Sequence, residues 1–170
     1  MKEFVTIKEN SSAQITEKKS KFIANLFYVE SIKEAEEIIE KTKKKYFDAK
    51  HNCIAYRVIE DENIIEKFSD DGEPSGTAGA PMLNILQKNN LVNVLIIVTR
   101  YFGGILLGTG GLVKAYSNSL LLALENTSKV TKCMGEELEI SLEYSEFESF
   151  KYYCKINKIN IVDVEYKENI

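Results

Sequence analysis

Apolar and polar positions alternate with a period of two over residues 3–8 and 12–17, and the run SKFIANLFYV at 20–29 is rich in aromatic and β-branched side chains. These three segments predict β-strands. The period then changes. Ile32, Ala35, Ile38, Ile39 and Tyr46 recur at helical spacing through SIKEAEEIIEKTKKKY, with Ser31 and Glu34 placed as a capping box. Its glutamates come early and its lysines late, the order that suits the helix dipole. HNCIAYRVI and NIIEKF predict a strand pair joined through the acidic turn at 60–63. Residues 69–81, SDDGEPSGTAGAP, are dominated by turn formers and small side chains and predict a long ordered loop. Pro81 suits the first position of a short helix running to Lys88, where a missing N–H costs nothing. VNVLIIVT, residues 92–99, is apolar without interruption and predicts a strand buried on both faces. Residues 112–125 predict a second main helix, with Val113, Tyr116, Leu120 and Leu124 on one stripe.

After Asn126 the character changes. ELEISLEY, residues 137–144, alternates strictly and predicts a strand with one wet face. Ser145 and Glu148 are placed as a further capping box, Phe147, Phe150 and Cys154 mark a helix that Asn157 ends, and NIVDVEY at 160–166 predicts one more strand. The expected boundary therefore lies near 127–136, dividing a domain over 1–128 from a segment over 136–170.

At 170 residues, 44% of them hydrophobic, the chain is long enough for one ordinary domain or for one plus a small second domain. Its 22 basic and 26 acidic residues leave a net charge near −4, so any contact with nucleic acid must be local. No apolar run approaches the roughly 20 residues that span a bilayer, and no signal-peptide pattern opens the chain. Cys53, Cys133 and Cys154 are odd in number and lack a C-x-x-C pair, which argues for reduced thiols in the cytosol rather than a disulfide framework or a zinc site.

GGILLGTGGLVKAY places five glycines, Gly103, Gly104, Gly108, Gly110 and Gly111, within nine residues. Glycine supplies either positive φ or close approach of another group. The P-loop pattern fails because Thr109 stands where lysine is needed, and the dinucleotide fingerprint fails at Val113. What remains is a generic option: amides 108–111 precede a helix expected from Leu112, where free N–H groups favour an anion and Lys114 and Arg100 add charge. The alternative is a packing joint in which a strand turns sharply into a helix, and the spacing favours the joint.

Asp70, Asp71 and Glu73 put three carboxylates in four residues, enough to hold Mg²⁺ beside a phosphate or, equally, to cap backbone N–H groups in a turn at Asp71–Gly72. The capping reading is the commoner use of such residues. His51 is the sole histidine, and at the start of a strand it suits a hydrogen-bonded rim position better than a general base. Lys41, Lys43, Lys44, Lys45 and Lys50, interleaved with Tyr46 and Phe47, make the one basic patch. It fits RNA through phosphate contacts and stacking, and it fits a solvated helix end as well; the residues leave both open.

HNCIAYR (51–57), DDGEPSGTAGAP (70–81) and VTRYFGGILLGTGGLVKAY (98–116) together resemble the signatures of the Impact/YigZ family, over roughly residues 15–126. The resemblance implies an α+β chain: an N-terminal domain of the ribosomal protein S5 domain 2-like type, a mixed sheet backed by helices, then a ferredoxin-like C-terminal domain. Here the tail supplies only about half of a β-α-β-β-α-β unit, a partial ferredoxin-like βαβ. Three outcomes follow for it: truncation, a different pairing, or completion by a partner strand.

Eukaryotic relatives restrain an initiation-factor kinase by competing for its activator, and bacterial relatives are linked to nucleic acid or translation. No catalytic residues are established in the family, so the resemblance implies a binding surface and no cofactor. Its matching positions are His51 and Arg57; Asp70, Asp71, Gly72, Glu73 and Pro74; Gly76 and Thr77; Arg100 and Tyr101; the five glycines; and Tyr116. Lys114 stands where many relatives carry arginine, keeping the charge without the bidentate geometry. The expected function is a cytosolic regulator linked to translation through a protein or RNA partner, with Lys43, Lys44 and Lys45 as the nucleic-acid candidates. The competing expectation is a Mg²⁺-dependent enzyme acting on a phosphate ester or nucleotide.

Overall fold

The computed structural model describes residues 3–133 and 135–166, which divide into two compact units between 134 and 135. In the first unit the elements run β1 (Glu3–Ile7), β2 (Ser11–Glu17), β3 (Ser20–Tyr28), α1 (Ile32–Lys45), β4 (His51–Glu60), β5 (Asn63–Ser69), α2 (Gly79–Lys88), β6 (Val94–Tyr101), α3 (Gly108–Glu125) and β7 (Lys129–Cys133). The architecture is mixed α and β. An antiparallel sheet of order β2-β3-β6-β4-β5 forms its centre, and β1 pairs with β7 in a separate two-stranded ribbon.

Two strand pairs are adjacent in sequence because their turns take the hairpin form. Lys18 and Lys19, and again Asp61 and Glu62, have positive φ at both central positions, which matches the right-handed strand twist. β6 lies in the middle and is buried on both faces. Val94, Ile96 and Val98 pack with Met82, Leu86, Leu112, Tyr116 and Leu120 of α2 and α3, while Leu95 and Ile97 meet Ala35 of α1 on the other side. That two-sided burial explains its unbroken apolar sequence.

Several expectations are corrected. β6 extends to Tyr101, so Arg100 and Tyr101 belong to a strand, with His51 opposite Arg100 in register. α2 begins at Gly79, making Pro81 its third residue, still within the first turn where an N–H lacks an intrahelical partner. α3 begins at Gly108 instead of Leu112, so the glycine-rich stretch forms its first turn. At α1 only half of the expected box forms: Ser31 accepts from the Glu34 N–H at 3.1 Å, while the Glu34 carboxylate accepts from the Glu30 N–H at 2.8 Å. β7 was not anticipated, because KVTKC gains its ladder bonds from β1, more than a hundred residues away.

The second unit holds a short 3₁₀ turn (Tyr144–Glu146) and α4 (Phe147–Asn157). Its capping box is made by Glu143 and Glu146, not by Ser145 and Glu148. Lys158 in the left-handed region ends the helix, with the Ile159 N–H donating to the Cys154 carbonyl at 2.9 Å. Neither 137–144 nor 160–166 forms a strand, so the expected partial ferredoxin-like βαβ is not formed among the described residues. Alternation suits a segment to a sheet, but ladder bonds come from a neighbour, and no described segment of this unit supplies one.

Candidate functional site

β4 starts and β6 ends at the same edge of the sheet, which sets His51 and Cys53 beside Arg100 on the face covered by α2 and α3. The loop after β5 folds over this edge and places its three carboxylates in three different environments. Asp70 holds the loop itself: one oxygen accepts from the N–H groups of Ala78 and Gly79 at 3.0 and 2.8 Å, the other from Gly76 at 2.8 Å. It thereby caps the start of α2, where Ala78 has no side chain able to do so. The Asp71 carboxylate accepts from the Asn52 N–H at 2.7 Å and from Lys43 Nζ at 3.1 Å.

Glu73 points inward. Its Oε1 accepts from Arg100 Nη1 at 2.6 Å and from the Tyr116 hydroxyl at 2.8 Å, with the side chain only 3% exposed. Arg100 lies between the rings of Phe22 and Phe102, its Cζ 5.4 and 5.5 Å from their centroids. Its Nη2 reaches Ser20 Oγ at 3.4 Å, and the Gly103 N–H donates to that same hydroxyl at 3.1 Å. One buried ion pair thus joins the acidic loop, the end of β6, α3 and the β2–β3 hairpin. Pro74 is exposed on the loop, and Thr77 is tied back to the Pro74 carbonyl at 2.6 Å.

The titratable groups inside are committed to structure. His51 donates from Nδ1 to the Asp71 carbonyl at 2.8 Å, leaving Nε2 3.9 Å from Glu73. Gly72 passes so near the ring that a Cβ would sit 3.4 Å from Nδ1. Cys53 Sγ is 3.0 Å from the Asp70 carbonyl and 3.3 Å from the Tyr116 hydroxyl. Burial pushes the Cys53 thiol up from 9.0 to about 12, with the Tyr116 hydrogen bond opposing and Glu73, Asp71 and Asp70 adding to the rise. Burial also raises Tyr116, reinforced by Cys53 and Glu73, so its hydroxyl stays a donor.

A thiol reagent near neutral pH should therefore label the exposed Cys133 while Cys53 stays protected until the chain unfolds; peptide mapping that finds early Cys53 labelling would contradict this. The folded thiol keeps its proton up to about 12, whereas an unfolded one releases it near 9.0. The folded state thus binds more protons in that window, and this contribution to stability is lost as pH rises through it.

Among the described residues no group of three or more His, Cys, Asp or Glu side chains is placed to hold a metal ion, and no helix is long and apolar enough to cross a membrane. A sequence model of the Impact N-terminal domain matches residues 18–124, a span that contains every residue of this network. The chain belongs to the Impact family. It is 40% identical over 167 residues to the IMPACT family member YvyE of Bacillus subtilis, covering 98% of this chain and 76% of that one. It is 36% identical over 154 residues to an IMPACT family member of Haemophilus influenzae, covering 90% and 75% of the two chains. A crystal structure of a hypothetical protein matches with a TM-score of 0.73 and 31% identity, over 98% of this chain and 82% of that chain.

The remaining candidate positions, from the resemblance and from the basic patch, divide in two. Tyr101 joins the same edge, donating its hydroxyl to Asp48 at 2.8 Å, and Lys50 lies 5.9 Å from the Phe102 ring centroid. Lys43 reaches the acidic loop through Asp71, so the basic patch and the loop form one continuous surface. Lys44 is exposed beside it, and Lys45 lies over the Tyr46 ring. Arg57 is elsewhere. Six residues along β4, about 20 Å away, it donates to Glu66 at 2.7 Å and to the Leu91 carbonyl at 3.0 Å. Lys114 is exposed on α3.

The glycines have different uses. Gly103 is the packing joint, since a Cβ there would lie 2.0 Å from the Lys19 carbonyl carbon. Gly104 and Gly108 turn the chain with φ of +85° and +74°. A Cβ on Gly111 would meet Leu107 at 3.0 Å, and one on Gly110 would meet nothing within 4 Å. Replacing Gly110 with alanine should stabilise the protein by roughly 0.5–1 kcal/mol, read as a raised thermal midpoint; a loss instead would mean that its bare amide is engaged. Sequence reasoning missed Ser20, Phe22 and Asn52, whose roles rest on strand register, whereas Phe102 lies within the 100–104 stretch that the resemblance marked.

Proposed function

We propose that this Impact-family protein is a cytosolic binding protein that regulates translation by docking a translation-related protein or RNA on the edge where the 70–78 loop meets the end of β6. The observation that carries the reading is the Glu73–Arg100–Tyr116 contact. It costs the chain a buried charge pair to hold the 70–78 loop against the end of β6 and α3. Ordered loops of this kind are the usual seat of recognition. The first unit has an antiparallel sheet where the resemblance implied a mixed one, with α2 and α3 on one face and α1 on the other, and that layering is what supports an S5 domain 2-like assignment.

A Mg²⁺-dependent phosphate-ester enzyme is a poorer fit to the same residues. Asp70 is saturated by backbone N–H groups, Asp71 faces Lys43 and an amide, and Glu73 faces a guanidinium. Carboxylates so engaged have little left to offer a cation.

The test is a pull-down with the full chain from native extract, with and without nuclease. Ribosomes or translation factors should co-purify, and Ser75→Arg, on the exposed loop, should reduce their recovery. Recovery unchanged by Ser75→Arg would move the site off this edge. Absence of translation components from every fraction would end the reading.

A further inference from the structure

α1 covers only part of its face of the sheet. It packs over β4 and β6 through Ala35 against Ile54, Tyr56, Leu95 and Ile97 and reaches β3 at Phe27, leaving that face of β2 and of the start of β3 without a helix. Register places Ser12 beside Asn25, Gln14 beside Ile23 and Thr16 beside Lys21, so these pairs lie on the same side as α1. Ser12, Gln14, Thr16 and Lys21 are exposed there. Where the uncovered face meets the last turns of α1, a cleft of about 260 Å³ opens, walled by Phe27, Ile38 and Tyr46, with Thr42, Lys41 and Lys45 along its helix side.

At its sheet side stands Asn25, whose Nδ2 is buried without a hydrogen-bond partner. An orphaned amide donor is costly to bury, so such a group points to an acceptor that belongs there. We propose that this cleft receives one unpaired base of a single-stranded RNA, with Asn25 Nδ2 donating to the base and its ring lying between the Phe27 and Tyr46 walls. Lys41 and Lys45 meet the flanking phosphates.

Three observations favour RNA over an acidic peptide. Aromatic walls offer a base a stacking surface that a carboxylate does not use. The row of hydroxyl and amide side chains beyond the cleft, Ser12, Gln14 and Thr16, suits a sugar–phosphate track. Lys44 and Lys21, both exposed, extend the positive charge beyond Lys41 and Lys45. A cleft between a helix and a sheet admits an unstacked base, whereas the base edges of a duplex are turned inward. This site rests on the translation-linked reading above, yet it lies on the α1 face and involves none of the Glu73–Arg100 network.

The experiment is fluorescence anisotropy of the full chain with an end-labelled single-stranded RNA of about ten nucleotides. Lys41→Gln/Lys45→Gln should weaken binding at least tenfold and flatten the log–log salt slope by about 1.4 for two phosphates. Asn25→Ala should also weaken binding about tenfold while leaving the salt slope unchanged, since it removes a base contact without changing any charge. The lysine pair is exposed, and a thermal melt confirms that each variant is folded. Equal affinity in wild type and both variants overturns the site, as does a larger loss from Lys43→Gln/Lys44→Gln, or binding of poly-glutamate where RNA does not bind. If RNA fails to bind while translation components are still recovered in the pull-down, the cleft proposal falls and the translation reading stands; if both fail, both fall.

Discussion

Replacing Glu73 with alanine is expected to destabilise the protein by about 3–5 kcal/mol, because it strands a buried guanidinium rather than merely deleting a contact. The Arg100 side chain is 6% exposed and stacked between two rings, so it cannot turn to water without opening the hairpin and the loop together. Domains of this size are stable by roughly 5–15 kcal/mol in total, and such a loss is visible as a lower urea midpoint at unchanged slope. Glu73→Gln separates charge from shape. It keeps an oxygen for Tyr116 but no charge for Arg100, and should fall between wild type and alanine. A Glu73→Ala midpoint within error of wild type would show that the pair does not hold the loops, and the docking surface would lose its physical basis.

The second large effect is at Gly103. An alanine Cβ there would lie 2.0 Å from the carbonyl carbon and 2.1 Å from the carbonyl oxygen of Lys19, with the Ser20 amide at 2.4 Å. All three are backbone atoms in a tight hairpin, so neither side can yield by rotating a side chain. Gly103→Ala should cost more than ~3 kcal/mol or abolish folding, and it should break the Ser20 contact to Arg100 where it does fold. Gly104→Ala is the comparison. Its Cβ meets open space, so only the positive φ is penalised, at about 1–2 kcal/mol. Thermal melts should rank the three alanine variants 103 far below 104, with 110 above wild type. Equal losses at 103 and 104 would mean that backbone freedom, not close approach, is what this stretch needs.

That ranking also shows how far the glycine-rich stretch was legible. Spacing ruled out the P-loop and the dinucleotide fingerprint and favoured a packing joint, yet it could not say which glycine was the joint. The partner is Lys19, eighty-four positions upstream, and only the β2–β3 turn brings it there. The carboxylates show the same division. Three acidic residues in a loop read alike in sequence, but one caps a helix, one faces a lysine and one is buried against an arginine. Arg57, in the same motif as His51, proved remote because the motif runs along an extended strand that sets the two about 20 Å apart.

Local patterning by itself determined the order of elements through α3 and the two-sided burial of β6, because periodicity, capping and turn chemistry act between near neighbours in the chain; the 51–57, 70–81 and 98–116 segments were singled out by the family resemblance. Tertiary structure alone decided the rest: β7, which exists by pairing with β1; the tail segments 137–144 and 160–166, which alternate like strands but find no described neighbour; and the uncovered face beside α1. Each depends on a partner distant in sequence, and hydrogen bonds and burial across such distances leave no mark on the local pattern of either participant.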